Sequence, residues 1–170
     1  MRIAFLISAL SLGTFGISQA AVASSNYIAV QYNTYEFSYD ADEDLEPDGF
    51  TFNLGSHINE NFIIEGRFGR SASDDNGNGV ALKIDDYIGF YTKAGMTFAD
   101  MVFPYIVLGY SKVDLELYNA SIAQTESDFS YGIGAHVHYQ DFQAGIEWMK
   151  VQDKTEFDLD ALSLSFGWRF

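Results

Sequence analysis

The chain has 170 residues, a formal net charge of −15 at pH 7 and no cysteine. One domain is the expected number for a chain of this length, and the negative charge disfavours nucleic acid as a partner. The absence of cysteine excludes disulfide bonds, catalytic thiols and thiolate metal sites.

The first segment of the chain has the pattern of a secretory signal peptide. A short positive start at Met1-Arg2 is followed by an uncharged stretch over residues 3–17 and then by small residues. The motif Ala21-Val22-Ala23 fits the A-x-A cleavage pattern, and Ser18-Gln19-Ala20 fits it as well, so cleavage follows Ala23 or Ala20. The apolar run is shorter than the roughly 20 residues that a membrane helix needs. We therefore expect residues 1–23 to be removed and residues 24–170 to form one exported domain.

After this segment the chain divides into eight predicted β-strands joined by connections that alternate in length. The strands cover residues 26–39, 50–58, 61–70, 81–97, 103–118, 128–139, 142–151 and 158–170. The connections at 59–60, 98–102 and 140–141 are brief, whereas those at 40–49, 71–80, 119–127 and 152–157 are longer and polar. Short periplasmic turns alternating with longer outer loops are typical of bacterial outer-membrane barrels.

Side chains in these strands alternate between two faces of opposite chemistry. In the last nine residues, one face carries Leu162, Leu164, Phe166, Trp168 and Phe170, and the other carries Ser163, Ser165, Gly167 and Arg169. The same alternation runs through residues 62–70, 129–139 and 142–149. An aromatic or aliphatic face opposite a small or charged face suits lipid outside and a polar lumen inside, whereas a soluble barrel would reverse it. The predicted fold is therefore all-β, an eight-stranded antiparallel transmembrane barrel preceded by a cleavable signal peptide.

Two strands depart from simple alternation. The pattern in 26–39 changes phase near Asn33-Thr34, where we expect a β-bulge. In 103–118, the consecutive Ile106, Val107 and Leu108 leave the facing of the strand open.

Several segments resemble those of the OmpA-like outer-membrane barrels. Residues 49–65 resemble a recurring hairpin of that family, and residues 87–95 followed by 104–110 are similar to its middle hairpin. Residues 131–136 and 145–148 are similar to its sixth and seventh strands. The resemblance covers essentially the whole mature chain and implies a monomeric barrel in the outer membrane of a Gram-negative bacterium.

The C-terminal aromatic residues carry a further part of this resemblance. Phe166, Trp168 and Phe170 resemble the sorting signal of outer-membrane barrels. The resemblance implies that the barrel assembly machinery and periplasmic chaperones are partners of the chain during its biogenesis.

A polar network is predicted inside the barrel. Its members are the residues with charged or imidazole side chains on inward positions: Glu65, Arg67, Lys93, His136, Glu147 and Arg169. An eight-stranded barrel is just wide enough for side chains to fill, and unpaired buried charges cost several kcal/mol, so these charges must pair. The resemblance matches Glu65 and Lys93 to two members of a switchable salt-bridge plug, whereas His136 and Gly145 stand where that plug has a glutamate and an arginine. A static polar core and a narrow ion path both fit these residues.

Two further patterns have some features of metal sites. Asp74, Asn76, Asn78 and Asp85 nearly fit a calcium loop, but the flanks are strands and a flexible loop with Asn-Gly turns explains the same letters. His136 and His138 form a pair that lacks a third metal ligand. We therefore expect no bound metal and no cofactor.

Catalysis is not expected either. Barrels that deacylate lipid A have a serine two residues after the catalytic histidine, and this chain has His138 there instead. The predicted inward facing of His136 and His138 is also wrong for chemistry on a lipid outside the wall.

The predicted function is a non-enzymatic one. We predict a structural or surface-interaction role in the outer membrane, with contacts to lipids and lipopolysaccharide through acidic loops. The most acidic of these predicted loops carries Asp40, Asp42, Glu43, Asp44, Glu46 and Asp48. A narrow-pore channel is the alternative, and a lipid A-modifying enzyme is a more distant one.

Overall fold

The computed structural model describes residues 25–39, 43–45, 47–71, 75–77, 80–117, 122–153 and 157–170. Ten strands lie in this part of the chain: Asn26–Tyr39 (β1), Glu43–Leu45 (β2), Asp48–His57 (β3), Phe62–Ser71 (β4), Asp75–Gly77 (β5), Val80–Gly95 (β6), Val102–Leu117 (β7), Ile122–Tyr139 (β8), Phe142–Asp153 (β9) and Phe157–Arg169 (β10). Two predicted features, the signal peptide at 1–23 and the acidic residues Asp40, Asp42 and Glu46, lie outside the described residues.

Eight long strands form a closed antiparallel wall. Neighbours along the chain pair in order, from β1 through β3, β4, β6, β7, β8 and β9 to β10. The last strand then pairs with the first, from Tyr27 opposite Arg169 to Tyr39 opposite Phe157. The two short strands, β2 and β5, pair with β1 and β6. Because the wall closes on itself, its backbone hydrogen bonds are satisfied without an open edge, as hydrocarbon requires.

The two ends of the barrel differ, and we call them the turn end and the loop end. At the turn end, residues 58–61, 96–101 and 140–141 connect consecutive wall strands. The backbones of Asn26 and Phe170 also pair there, with N–O distances of 3.0 and 2.9 Å. In the second of these turns, Phe98 pairs with Val102 across three residues. Ala99 and Asp100 have φ of 50° and 57°, the left-handed values of a type I′ turn, and Met101 N donates to the Phe98 carbonyl at 3.1 Å. Short turns are typical of the periplasmic side of outer-membrane barrels, so we expect the turn end on that side.

The outward face of the wall is apolar. Side chains such as Phe68, Ile88, Ile106 and Leu164 are about half exposed, while their neighbours along each strand point into the lumen and are buried. In water, an apolar surface of this extent would be unfavourable, whereas hydrocarbon accommodates it. The predicted facing of strands 62–70, 129–139, 142–149 and 162–170 is confirmed. The strand at 103–118, left open by the sequence, points Val107 inward and Ile106 and Leu108 outward.

The β-bulge predicted near Asn33-Thr34 is wrong. β1 keeps one register against both neighbours, and side chains alternate without interruption from Tyr27 to Glu36. What changes near Thr34 is polarity: Tyr32 faces outward below it, whereas above it Glu36 faces outward and Tyr35 is buried inside. Just below Thr34, the outward side chains of β1 are apolar and the inward ones are polar. Above Thr34, this arrangement is reversed. We interpret this inversion as the level at which the strand leaves the hydrocarbon.

Irregular pairing occurs instead near the loop end. The register of β6 with β7 shifts between Ile84 and Asp86, and that of β10 with β9 shifts between Leu159 and Asp160. The second shift leaves Val151 unmatched, so Val151 and Gln152 are both buried although they are adjacent. The predicted loop at 119–127 is also shorter than expected, because β8 begins at Ile122 and pairs with the upper part of β7.

Candidate functional site

The centre of the lumen holds a buried ionic network. Arg67 of β4 bonds Glu147 of β9 across the barrel through two contacts, Nη1 to Oε1 at 2.6 Å and Nη2 to Oε2 at 2.9 Å. The Nε of the same guanidinium donates to Glu65 Oε1 at 2.6 Å. All three side chains are at most 5% exposed. The geometry ties opposite walls of the barrel together by charge-assisted hydrogen bonds.

Lys93 of β6 completes the charge balance of this network. Its Nζ lies 3.0 Å from Glu65 Oε2 and 3.8 Å from Glu147 Oε2. It also lies 3.5 Å from Nε2 of His136 on β8. Two cations thus share two carboxylates, and each cation contacts both. Such pairing offsets much of the cost of removing four charges from water.

Inward tyrosines surround the four charges. Tyr27 donates a hydrogen bond to Glu65, and Tyr105 donates to Glu147 Oε2 at 2.9 Å. The guanidinium of Arg67 lies 4.4 Å from the ring centre of Tyr91, and Nζ of Lys93 lies 4.8 Å from that of Tyr105. These contacts satisfy the carboxylates further and add cation–π attraction.

Inward glycines, on the neighbouring strand or two residues away on the same strand, make room for these rings. A Cβ on Gly55 would lie 2.1 Å from the ring of Tyr27, and one on Gly89 or Gly109 would lie 2.3 Å from the ring of Tyr91. The sequence interpretation missed the tyrosines as members of the network. The sequence feature that could have identified them is an inward tyrosine with an inward glycine beside it, on the next strand or two residues away on the same strand.

An apolar layer lies toward the loop end of the lumen. Val113, Val151 and Leu159 are fully buried, and they belong to one cluster of buried apolar side chains. Beneath them, Ser130 Oγ bonds Ser111 Oγ at 2.9 Å and the carbonyl of Val151 at 2.8 Å. Buried side chains of the described residues therefore line the lumen from the ionic network to the loop end, and they include the polar Gln152 opposite Leu159.

The turn end of the lumen holds a separate group of basic residues. His57, His136 and His138 face inward there, next to Arg169 of β10. The predicted network included Arg169, but its Nη2 donates to Ser25 Oγ at 3.1 Å and not to the central carboxylates. His136 is the member that touches both groups, through Lys93. Neither His136 nor His138 faces the lipid.

The remaining predicted sites fall on the surface or outside the described residues. Asp74 and Asn78 of the calcium-loop pattern are not among the described residues, and the side chains of Asn76 and Asp85 are not described either. In the described ranges, no three His, Asp or Glu residues are arranged to hold a metal ion. The C-terminal aromatics face outward: Phe166, Trp168 and Phe170 are all more than half exposed, and Phe166 stacks on Phe142.

Comparisons with known proteins identify the kind of barrel. A family model described as an outer membrane protein beta-barrel domain matches residues 7–170. No curated protein matches the chain in sequence.

Solved structures with a similar fold cover most of the chain. The attachment invasion locus protein Ail of Yersinia pestis is 16% identical with a TM-score of 0.66, covering 86% of this chain and 99% of Ail. Neisserial surface protein A is 15% identical with a TM-score of 0.65, covering 85% of this chain and 97% of that one. The N-terminal barrel of OprF from Pseudomonas aeruginosa is 13% identical with a TM-score of 0.56, covering 84% and 97%. At these identities the likeness extends to the fold alone.

Proposed function

This chain belongs to the outer membrane protein beta-barrel domain family and resides in the outer membrane of a Gram-negative bacterium, and on this premise we propose that it acts as a closed barrel with a structural and surface-interaction role. The observation that carries the proposal is the set of buried ion pairs and buried apolar side chains inside the lumen. The ionic network around Arg67 ties opposite walls together, and the apolar layer around Val113 lies above it. An ion crossing the barrel would have to break buried charge pairs and then pass an apolar constriction.

Electrical recording tests the closed lumen. We expect the wild-type barrel in a planar bilayer to give no steady conductance steps, because breaking the bidentate Arg67–Glu147 pair leaves uncompensated buried charges. A double variant, Arg67→Ala with Glu147→Ala, removes this pair and widens the lumen, and it serves as the matched comparison. Steady steps from the wild-type protein would contradict the proposal and favour the narrow-pore alternative.

The outer wall near the loop end supports a contact with lipopolysaccharide. A groove of about 450 Å³ runs along this face, lined by apolar residues that include Val30, Phe50 and Phe68. Arg70 and Asp86 line its charged part. An acyl chain fits the apolar part, and the guanidinium of Arg70 suits a lipid phosphate. The carboxylate of Asp86 would repel a second lipid phosphate. A divalent cation bound between the two anions would remove this repulsion.

A binding measurement tests this contact. We expect lipopolysaccharide with Mg²⁺ to raise the heat-unfolding temperature of the barrel in micelles. Arg70→Gln should weaken the binding about tenfold, because it removes a charge-assisted contact with phosphate. Lys150→Gln is the matched control, since its Nζ is already paired with Asp158 at 3.1 Å. An equal lipopolysaccharide effect in Arg70→Gln and wild type would refute the proposed contact.

A further inference from the structure

The three histidines of the chain lie together at the turn end of the lumen. His57 ends β3, while His136 and His138 lie near the end of β8. The ring centres of His57 and His138 are 6.4 Å apart, and those of His136 and His138 are 6.1 Å apart. In the sequence, only His136 and His138 are close together, on one strand. The closed barrel brings the imidazole of His57 next to them.

Arg169 joins this group from the last strand. Its Nη2 lies 3.1 Å from Ser25 Oγ, which in turn lies 3.2 Å from His57 Nδ1. The guanidinium of Arg169 also lies near enough to His57 and His138 for its positive charge to repel their protonated imidazoles. Ser25, His57, His138 and Arg169 are each only partly buried, so the group is accessible from the turn end.

Several polar atoms of this group have no hydrogen-bond partner among the described residues. They are His136 Nδ1, His138 Nε2 and Arg169 Nε, all with almost no exposed surface. Oε1 of Gln143, opposite His138 on β9, is a further buried atom without a partner among the described residues, and it is an acceptor. The ammonium of Lys93 can only donate, so Nε2 of His136 accepts its hydrogen bond and Nδ1 carries a hydrogen. At least two buried N–H donors, on His136 and Arg169, are therefore unused. Buried donors without an acceptor are rare and costly, and they indicate a missing acceptor.

The charged side chains inside the lumen at this end favour an anion over a cation, whereas the acidic Glu60, Asp100 and Asp141 of the turns are exposed. The lumen carboxylates that face the group from deeper in the barrel, Glu65 and Glu147, are already bonded to Arg67 and Lys93. Lys93 adds a positive charge directly behind His136. A metal ion would meet two cations, and in the described ranges the three imidazoles are not arranged to ligate one.

We propose that the group of Ser25, His57, His136, His138 and Arg169 binds a small oxyanion of the size of phosphate, and we call it the turn-end anion site. Arg169 Nε and the two β8 imidazoles supply N–H donors, and the site opens to the periplasmic side. Protonation of an imidazole adds a donor and a positive charge, and a bound anion favours that protonated form. Binding should therefore tighten as pH falls. A free anion and a phosphate of an inner-leaflet lipid share this chemistry.

Selective labelling of histidine reports on this site alone, since all three histidines belong to it. The barrel carrying ¹⁵N-labelled histidine is folded in phosphate-free maltoside micelles, and inorganic phosphate is titrated at pH about 6 and about 8. We expect saturable changes in the imidazole signals, with tighter binding at the lower pH. Arg169→Gln should weaken binding about tenfold, because it removes a charge-assisted contact.

Controls separate binding from loss of fold. Lys112→Gln alters an exposed cation, with 47% of its side chain accessible, and should bind phosphate as the wild type does. His138→Gln is the second site variant in case Arg169→Gln fails to fold, as judged by the heat-dependent shift on gels. A parallel titration with phosphatidylglycerol assigns the anion to a lipid headgroup if only the lipid produces the changes. The proposal is overturned if neither ligand gives saturable changes, or if the folded site variants bind as the wild type does.

Discussion

Replacing Arg67 by methionine is expected to destabilise the barrel by about 3–5 kcal/mol, because it leaves the buried Glu147 carboxylate without its bidentate partner. The same change removes the Nε contact to Glu65 and the stacking on Tyr91. Reversible urea unfolding of the barrel in lipid vesicles, extrapolated to zero denaturant, measures the loss. The side-chain volume is nearly kept, so the effect reports on charge and hydrogen bonding and not on a cavity.

Three further variants define the origin of this effect. Lys93→Ala should cost less than Arg67→Met, because Glu65 keeps its bonds to Arg67 and Tyr27. Lys112→Met, which removes an exposed pair with Asp114, should change the free energy of unfolding by at most about 1 kcal/mol. Arg67→Met combined with Glu147→Leu should recover much of the lost stability, because no charge is then left unpaired. A single Arg67→Met no costlier than Lys112→Met would show that the network does not hold the walls together.

The wall of the barrel was predictable because each wall residue reports its own face. A residue such as Leu164 is apolar because it meets lipid, and Ser163 is small and polar because it meets the lumen. A period of two therefore reveals the strands and the inward charges from local sequence alone. The ranges of most wall strands agree within a few residues for the same reason. The start of β8 was not predicted because it lies above the hydrocarbon. Residues there, such as Glu126, do not show the alternation of apolar and polar side chains that lipid imposes.

The arrangement inside the lumen was less predictable because it depends on height along the barrel axis. Alternation places Arg67 and Arg169 both inward, yet one lies in the central network and the other at the turn end. Height follows from strand register, which the sequence pattern does not specify. The register shift that leaves Val151 unpaired could not be predicted for this reason. The contact of His57 with His138 across the lumen could not be predicted either, because it depends on the relative heights of two strands. The inversion of polarity near Thr34 was taken for a bulge because both give the same sequence pattern. In either case, apolar residues move from one set of alternate positions to the other.

Replacing Ile133 by arginine tests whether the wall lies in hydrocarbon. Ile133 faces outward near the middle of the apolar run of β8, between Ile106 and Trp148 on the adjacent strands, and is 61% exposed. In a soluble protein, an arginine at such an exposed position would be nearly neutral. In a bilayer, it should destabilise the folded barrel by about 2–4 kcal/mol, because a charge is brought toward the membrane midplane. Urea unfolding in vesicles measures the difference.

The matched control for this variant is Tyr139→Arg on the same face of the same strand. Tyr139 ends β8 at the turn end and is 67% exposed, so its replacement lies near the interface. An arginine there reaches water and headgroups and should cost about 0–1 kcal/mol. The depth dependence separates the effect of hydrocarbon from a general intolerance of β8 to arginine. Equal costs at the two positions, or a neutral Ile133→Arg, would contradict the placement of this wall across the membrane.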